Sequence, residues 1–153
     1  MKQFIFLFLA TLLITACERP ADNDPREAFV GDYTFVSKGN IDLYADGLKV
    51  ITVPLDKEGE MSLSLADKDN ELWMVAEGDS TIARISDGRL FIDPATEQQS
   101  FKDLVLSLSY TYTPATLEND QLSLTSNVEA TATYKEKYSL SGRGQVDVTA
   151  TKK

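Results

Sequence analysis

The sequence predicts an all-β domain, built as an antiparallel up-and-down meander of eight or more strands. Apolar and polar residues alternate with a period of two from Phe29 onward, and no window of eleven or more residues keeps a helical apolar stripe. Asp87-Gly88 adds a strong hairpin signal between two strand-like runs. Long antiparallel hairpins of even spacing favour a barrel, and a coiled β-sandwich is the alternative.

The first strands follow from short alternating runs. We expect strands at residues 31–36, at 48–54 and around Met61, Leu63 and Leu65. Residues 71–77 (ELWMVAE) are almost continuously apolar, which predicts a strand that is buried on both faces or lies at an end of the core. Residues 81–93 then form the hairpin around Asp87-Gly88.

The last third of the chain carries the clearest alternation. Between residues 103 and 113 one face is apolar and the other is polar, which predicts a strand with one buried face. The apolar face consists of Leu104, Leu106, Leu108, Tyr110 and Tyr112. Residues 122–134 and 138–150 are expected to pair as one long hairpin.

A turn at Lys135-Glu136-Lys137 fixes the register of this hairpin. It places Tyr134 opposite Tyr138 on the inner face and Glu129 opposite Arg143 on the polar face, where opposite charges favour the pairing. Thirteen extended residues reach about 43 Å, which is long for a flat strand in a small domain. Gly142 and Gly144, on the inner face, provide the lack of bulk that a bend or a close strand approach requires.

The N-terminal segment predicts export and a lipid anchor. Residues 1–16 contain one lysine, an uncharged stretch from Phe4 to Ile14 and small residues before Cys17, which is typical of a signal peptide. The uncharged stretch is too short to span a membrane, which takes about 20 apolar residues. Ile14-Thr15-Ala16-Cys17 resembles the lipobox of bacterial lipoproteins, and this resemblance implies cleavage before Cys17 and lipidation of its sulfur.

The anchor sets the expected domain boundaries and compartment. Residues 17–27 are rich in charge and proline and predict a flexible tether, and residues 28–153 predict a single domain. We expect the protein to be attached through the lipid to the membrane of a bacterial cell envelope, at the outer membrane, facing the periplasm or the cell surface. Because acylation uses the only cysteine, the domain folds without disulfides.

The composition limits which reactions, cofactors and partners we expect for this protein. The chain has no histidine and a formal net charge of −9, which argues against the commonest general base and against nucleic acid as a partner. No G-x-S-x-G, S-x-x-K or glycine-rich phosphate loop is present, so we expect no enzymatic activity and no cofactor. Residues 67–71 (DKDNE) offer oxygen ligands at alternate positions but lack the glycine of a calcium loop, so we interpret them as a turn and expect no metal site.

A weak family resemblance lies at the first strand. Phe29, Gly31 and Tyr33 are similar to the F-x-G-x-W motif that opens calycins, the lipocalins and fatty-acid-binding proteins. This resemblance implies an up-and-down barrel of eight or ten strands around an apolar pocket. The chain departs from it in having Tyr for Trp, no room for a two-helix lid after the first strand, and no helix after the last one.

Two functions remain open from the sequence. The first is binding of a small apolar or amphipathic ligand inside the barrel, and its expected lining consists of the inward aromatic residues Phe35, Trp73, Tyr110, Tyr112, Tyr134 and Tyr138. The alternative is a non-catalytic structural or interaction subunit of an envelope complex, in which the same rings fill a solid core.

Overall fold

The computed structural model describes residues 24–134 and 138–153, and this part of the chain folds into antiparallel β-strands that share one sheet. The signal segment, Cys17 and the turn at 135–137 lie outside the described residues. In the described part, no helix has the length and apolarity needed to cross a membrane. The strands are β1 (Gly31–Ala45), β2 (Leu48–Pro54), β3 (Lys57–Leu65), β4 (Glu71–Ala76), β5 (Asp79–Ser86), β6 (Arg89–Ile92), β7 (Ala95–Phe101), β8 (Leu104–Tyr112), β9 (Thr116–Glu118), β10 (Gln121–Tyr134) and β11 (Tyr138–Lys152).

The sheet curls into a half-barrel, which confirms the predicted all-β class and is consistent with a calycin-like barrel. The strands follow the order β6-β5-β4-β3-β1-β11-β10-β8-β7. β2 and β3 pair in succession with β1, and β9 and β8 pair in succession with β10, so each long strand faces two short partners end to end. β6 and β7 are left as the two terminal strands of the path.

The predicted register of the C-terminal hairpin is confirmed. Tyr134 pairs with Tyr138 and Glu129 pairs with Arg143, and the same register holds along the whole of β10 and β11. The Arg143 Nε lies 3.1 Å from the Glu129 Oε1 on the exposed face. The predicted turn at Asp87-Gly88 is confirmed too, because both residues have positive φ, 51° and 69°, as a two-residue type I′ turn requires.

The glycines of β11 allow a close approach to β1. A Cβ added at Gly142 would lie 2.1 Å from the Asp42 carbonyl oxygen, and one added at Gly144 would lie 2.2 Å from that of Asn40. These distances are far below contact, so no other residue fits at either position without displacing β1. The close strand approach that the two glycines predicted is therefore present.

The core is divided into two clusters that share the long strands. The first cluster surrounds Ile41 and Leu43 in the second half of β1, and the second surrounds Tyr33 in its first half. Tyr33 is fully buried, and its hydroxyl donates a hydrogen bond to the Phe29 carbonyl oxygen at 2.7 Å. The two clusters leave the middle of the concave face between them.

Ordered contacts begin before residue 28, the predicted start of the domain. The guanidinium of Arg26 is buried, forms an ion pair with Asp24 at 2.6 Å and donates hydrogen bonds to the carbonyl oxygens of Ala66 and Lys68 at 3.0 and 2.6 Å. These bonds tie the segment before β1 to the connection between β3 and β4. That connection, residues 66–70, contains the first four residues of the DKDNE stretch and joins two antiparallel strands, which agrees with its interpretation as a turn.

Candidate ligand cavity

A cavity of about 350 Å³ lies on the concave face, between the two core clusters. Most of its wall is apolar and comes from strands on both sides of the half-barrel. The principal apolar side chains are Phe35 of β1, Met61 of β3, Met74 of β4, Ile92 of β6, Leu124 of β10 and Val148 of β11. Methionine side chains are flexible and adapt to irregular shapes, which suits the wall of a ligand-binding cavity.

The cavity borders the seam between the terminal strands β6 and β7. Along the described sheet, β6 and β7 are not neighbours, so no ladder of backbone hydrogen bonds covers the gap between them. Ile92 and Ala95, which flank this gap, both line the cavity. At one side of the seam, Leu90 and Ala115 exchange two backbone hydrogen bonds of 3.0 and 2.7 Å and tie β6 to the segment before β9.

The mouth of the cavity carries more negative than positive charge. Three carboxylates line it, those of Glu77, Asp79 and Glu97, against the single ammonium of Lys57. Lys57 Nζ lies 2.5 Å from the Glu77 Oε2, and both side chains are exposed. The formal charge of these four lining residues is therefore −2.

A tyrosine pair stands beside Glu97. The Tyr110 hydroxyl donates a hydrogen bond to the Glu97 Oε1 at 2.7 Å. The ring of Tyr112 is parallel to that of Tyr110, with the ring centres 6.3 Å apart, because residues i and i+2 of β8 project from the same face. Burial, and then the hydrogen bond to Glu97, raises the pKa of Tyr110, while burial, and then the Glu97 charge, raises the pKa of Tyr112.

Two buried serine hydroxyls also line the cavity. The Ser126 Oγ has the Thr111 carbonyl oxygen as its hydrogen-bond partner, at 3.5 Å. The Ser37 Oγ lies 3.3 Å from the Lys57 carbonyl oxygen and 3.5 Å from that of Leu55. Hydroxyl hydrogen bonds are ordinarily about 2.7–2.8 Å long, so these are weak, and both hydroxyls keep capacity for a further partner.

The structure separates the six aromatic residues that the sequence singled out. Phe35, Tyr110 and Tyr112 line the cavity. Tyr134 and Tyr138 line a different cleft of about 440 Å³, at the end of the half-barrel where β10 and β11 meet. Ligand contact stays a prediction for all five.

Trp73 lies on the opposite face from the cavity. Strand alternation buries Leu72, so its neighbour projects from the convex surface, where 44% of Trp73 is exposed. Val75, two residues on, is exposed beside it. The expectation that residues 71–77 would be buried on both faces is therefore wrong, and the alternative position at an end of the core stays a prediction. Apolar composition alone gave no sign of which face would be covered.

Sequence reasoning missed the residues that give the cavity its opening. Met61 appeared only as one position of an alternating strand and Met74 only as part of the apolar run 71–77, and Glu97 lies in a polar stretch that did not stand out as a strand. The only available signal was the Asp-Pro pair at 93–94, which is typical of a break between strands.

The cavity offers binding groups. Within the described residues, no cluster of three or more carboxylate, thiol or imidazole side chains has the arrangement of a metal site. Comparison with known proteins adds no function: no family model matches the chain, and a search of curated proteins gives no significant match. The geometry supports enclosure of an apolar group with a polar group held at the mouth.

Proposed function

We propose that the protein is a lipid-anchored envelope lipoprotein that binds a small apolar or amphipathic ligand in the cavity between its two cores. The observation that supports this most directly is the cavity itself, of about 350 Å³ with mainly apolar walls. Its size falls within the range of about 300–1,000 Å³ found for small-molecule sites. A small barrel can fill its interior with side chains, so a space of this size is not required by the fold.

The placement of polar groups favours an amphipathic ligand over a purely apolar one. Carboxylates and tyrosine hydroxyls gather at the mouth, while methionine, leucine and valine side chains form the inner wall. A ligand with an apolar body and a polar end would satisfy both regions at once.

The lipobox resemblance supplies the location. Cleavage before Cys17 would leave six residues between the lipidated cysteine and Asp24, where the described contacts begin. The seven Cα-to-Cα steps from Cys17 to Asp24 span at most about 25 Å. The tether would therefore keep the half-barrel near the membrane surface, where amphipathic molecules concentrate.

Filling the cavity tests the proposed function. The full chain is reconstituted in lipid nanodiscs and titrated with the neutral apolar dye Nile red, with empty nanodiscs as the blank. Leu124→Trp replaces an aliphatic side chain of the cavity wall by a larger indole ring. It is expected to weaken dye binding at least about tenfold, which corresponds to about 1.4 kcal/mol. Val36→Trp adds the same ring to the opposite face of β1, where Val36 is exposed, and is the matched control.

Two results would count against ligand binding. One is a parent protein whose signal does not exceed that of empty nanodiscs. The other is an equal loss of binding in both tryptophan variants, which would place the dye on the surface.

A second candidate function, a non-catalytic interaction subunit of an envelope complex, is favoured by a separate patch. Leu48 and Val50 of β2 are 75% and 56% exposed, and Val50 joins Tyr138 in lining the second cleft. Exposed apolar residues that gather around a cleft are typical of interaction sites. This role is tested by replacing Leu48 and Val50 with serine and measuring how much envelope protein is recovered cross-linked to the chain. The replacement is expected to lower the recovery, and the cavity variants are expected to leave it unaltered. Unchanged recovery from the serine variant would reject the role.

A further inference from the structure

We propose that the ligand's polar end is a cation, an alkylammonium group, held at the mouth by the Glu97 carboxylate and the rings of Tyr110 and Tyr112. This inference rests on the proposed function and names the chemical class of the ligand. It follows from three features of the mouth: the balance of charge, the free oxygen of Glu97 and the aromatic faces beside it.

The charge balance disfavours an anionic ligand. Among the described residues that line the cavity, Lys57 is the only cation, and it is already paired with Glu77 at 2.5 Å. A carboxylate or sulfate that entered the cavity would lose its water without gaining a cationic partner, and it would face the charges of Asp79 and Glu97. Burial of an unpaired charge is strongly unfavourable.

Glu97 is oriented to accept a further hydrogen bond. Its Oε1 accepts the Tyr110 hydroxyl at 2.7 Å, and within the described residues its Oε2 accepts none. The Tyr110 bond fixes the carboxylate beside the ring. Charge-assisted hydrogen bonds of an ammonium to such a carboxylate are stronger than neutral ones.

The tyrosine rings supply the second half of an ammonium site. A cation within about 6 Å of a ring centre is attracted to its π face, by about 0.5–2 kcal/mol depending on burial. Both rings line the cavity and are parallel, and Tyr110 carries the hydroxyl that holds Glu97. An ammonium beside Glu97 would thus meet a carboxylate and an aromatic face together.

The apolar wall sets the length of the tail. A volume of about 350 Å³ corresponds to about twelve water-sized units of about 30 Å³ each. An alkyl chain of medium length, such as decyl, is therefore a suitable probe.

Three probes with one tail and different heads test the inference. The full chain in nanodiscs is titrated calorimetrically at neutral pH with decylammonium, decanol and decanoate, with empty nanodiscs as blanks. We expect the cation to bind about tenfold more tightly than decanol, and decanoate to bind most weakly. Raising the salt concentration is expected to weaken binding of the cation selectively, since salt screens partly exposed charges.

Glu97→Gln separates the charge from the shape of the mouth. It is expected to weaken binding of decylammonium about fivefold and to leave binding of decanol within about twofold. Glu58→Gln is the matched control, because Glu58 is exposed on the outer face of β3 and does not line the cavity.

The outcomes distinguish the two proposals. Decanoate binding as tightly as the cation, or an equal effect of Glu97→Gln on all three probes, would overturn the ammonium site while ligand binding stands. The proposed function itself would be overturned if none of the three probes bound the parent and if the parent and Leu124→Trp bound Nile red equally.

Discussion

Gly142 provides the sharpest test of how the long strands fit together. In Gly142→Ala the new Cβ would lie 2.1 Å from the Asp42 carbonyl oxygen, where an ordinary contact is at least 3.4 Å. The two strands would have to separate by about 1 Å, as an overpacked site does. Asp42 cannot move freely, because it is paired with Arg143 of β11 on one side and with Thr52 of β2 on the other.

The expected cost follows from these constraints. Overpacking costs about 1–3 kcal/mol, and each strained ladder hydrogen bond adds about 0.5–1.5 kcal/mol. Replacing glycine by alanine returns about 0.4–1 kcal/mol through the unfolded chain. We therefore expect Gly142→Ala to lower the free energy of unfolding by about 2–3 kcal/mol.

Urea unfolding of the full chain, followed by circular dichroism, measures this change. Gly47→Asn is the control, since Gly47 has a φ of +78° that asparagine tolerates and no atom lies within 4 Å of its added Cβ. The control is expected to change stability by less than about 0.5 kcal/mol. If Gly142→Ala were as mild as the control, the close approach of β1 and β11 would be refuted.

The remaining predictions concern polar groups of the core and its edge. Tyr33→Phe removes the bond to the Phe29 carbonyl and is expected to cost about 1–2 kcal/mol in urea unfolding; a cost as small as that of Tyr44→Phe on the outer face would contradict it. Burial, and then Asp120, raises the folded pKa of Tyr33, so its contribution is full below about pH 10 and declines as the pH rises through the folded pKa. Stability measured from pH 8 to 11 is expected to fall less steeply in Tyr33→Phe than in the parent, and identical slopes would refute this. Arg26→Ala is expected to lower the midpoint of thermal unfolding and to speed proteolysis before β1, because Arg26 ties that segment to the β3–β4 connection, whereas the exposed Arg143→Ala is expected to do neither.

Local pairing was predictable from the sequence where facing residues agreed with one register. Tyr134, Tyr138, Glu129 and Arg143 all favoured the observed hairpin, and it formed as predicted. The first strand was predicted to end at residue 36, yet β1 continues to Ala45. The middle of β1 is polar and contains a glycine, so the alternation of apolar and polar residues that would predict a strand is interrupted there.

The missing signal in β1 has a physical reason. Gly39 occupies an inner position, where an added Cβ would lie 2.2 Å from the Gln145 carbonyl oxygen. The apolar residue that would have continued the pattern therefore cannot fit there. β7 was missed for a different reason: it is a terminal strand with almost every side chain exposed, so its sequence needs no apolar face.

The candidate site was only partly predictable. Strand periodicity placed Phe35, Tyr110 and Tyr112 on the inner face, which is where they lie. Periodicity does not say whether inward side chains meet or leave a space, because that depends on how far the sheet curls. The acidic mouth depends on which strands the fold brings together around the cavity, which is a property of the topology.

The central claim is that the cavity between the two cores holds a small molecule. Native mass spectrometry of the full chain, released from the membranes of its own cells, tests this most directly when the parent is compared with Leu124→Trp. The account predicts an added mass on the parent that is lost on denaturation and is reduced in the variant. A parent that carries no mass beyond that of the lipidated chain, or an added mass that is equal in both proteins, would contradict it.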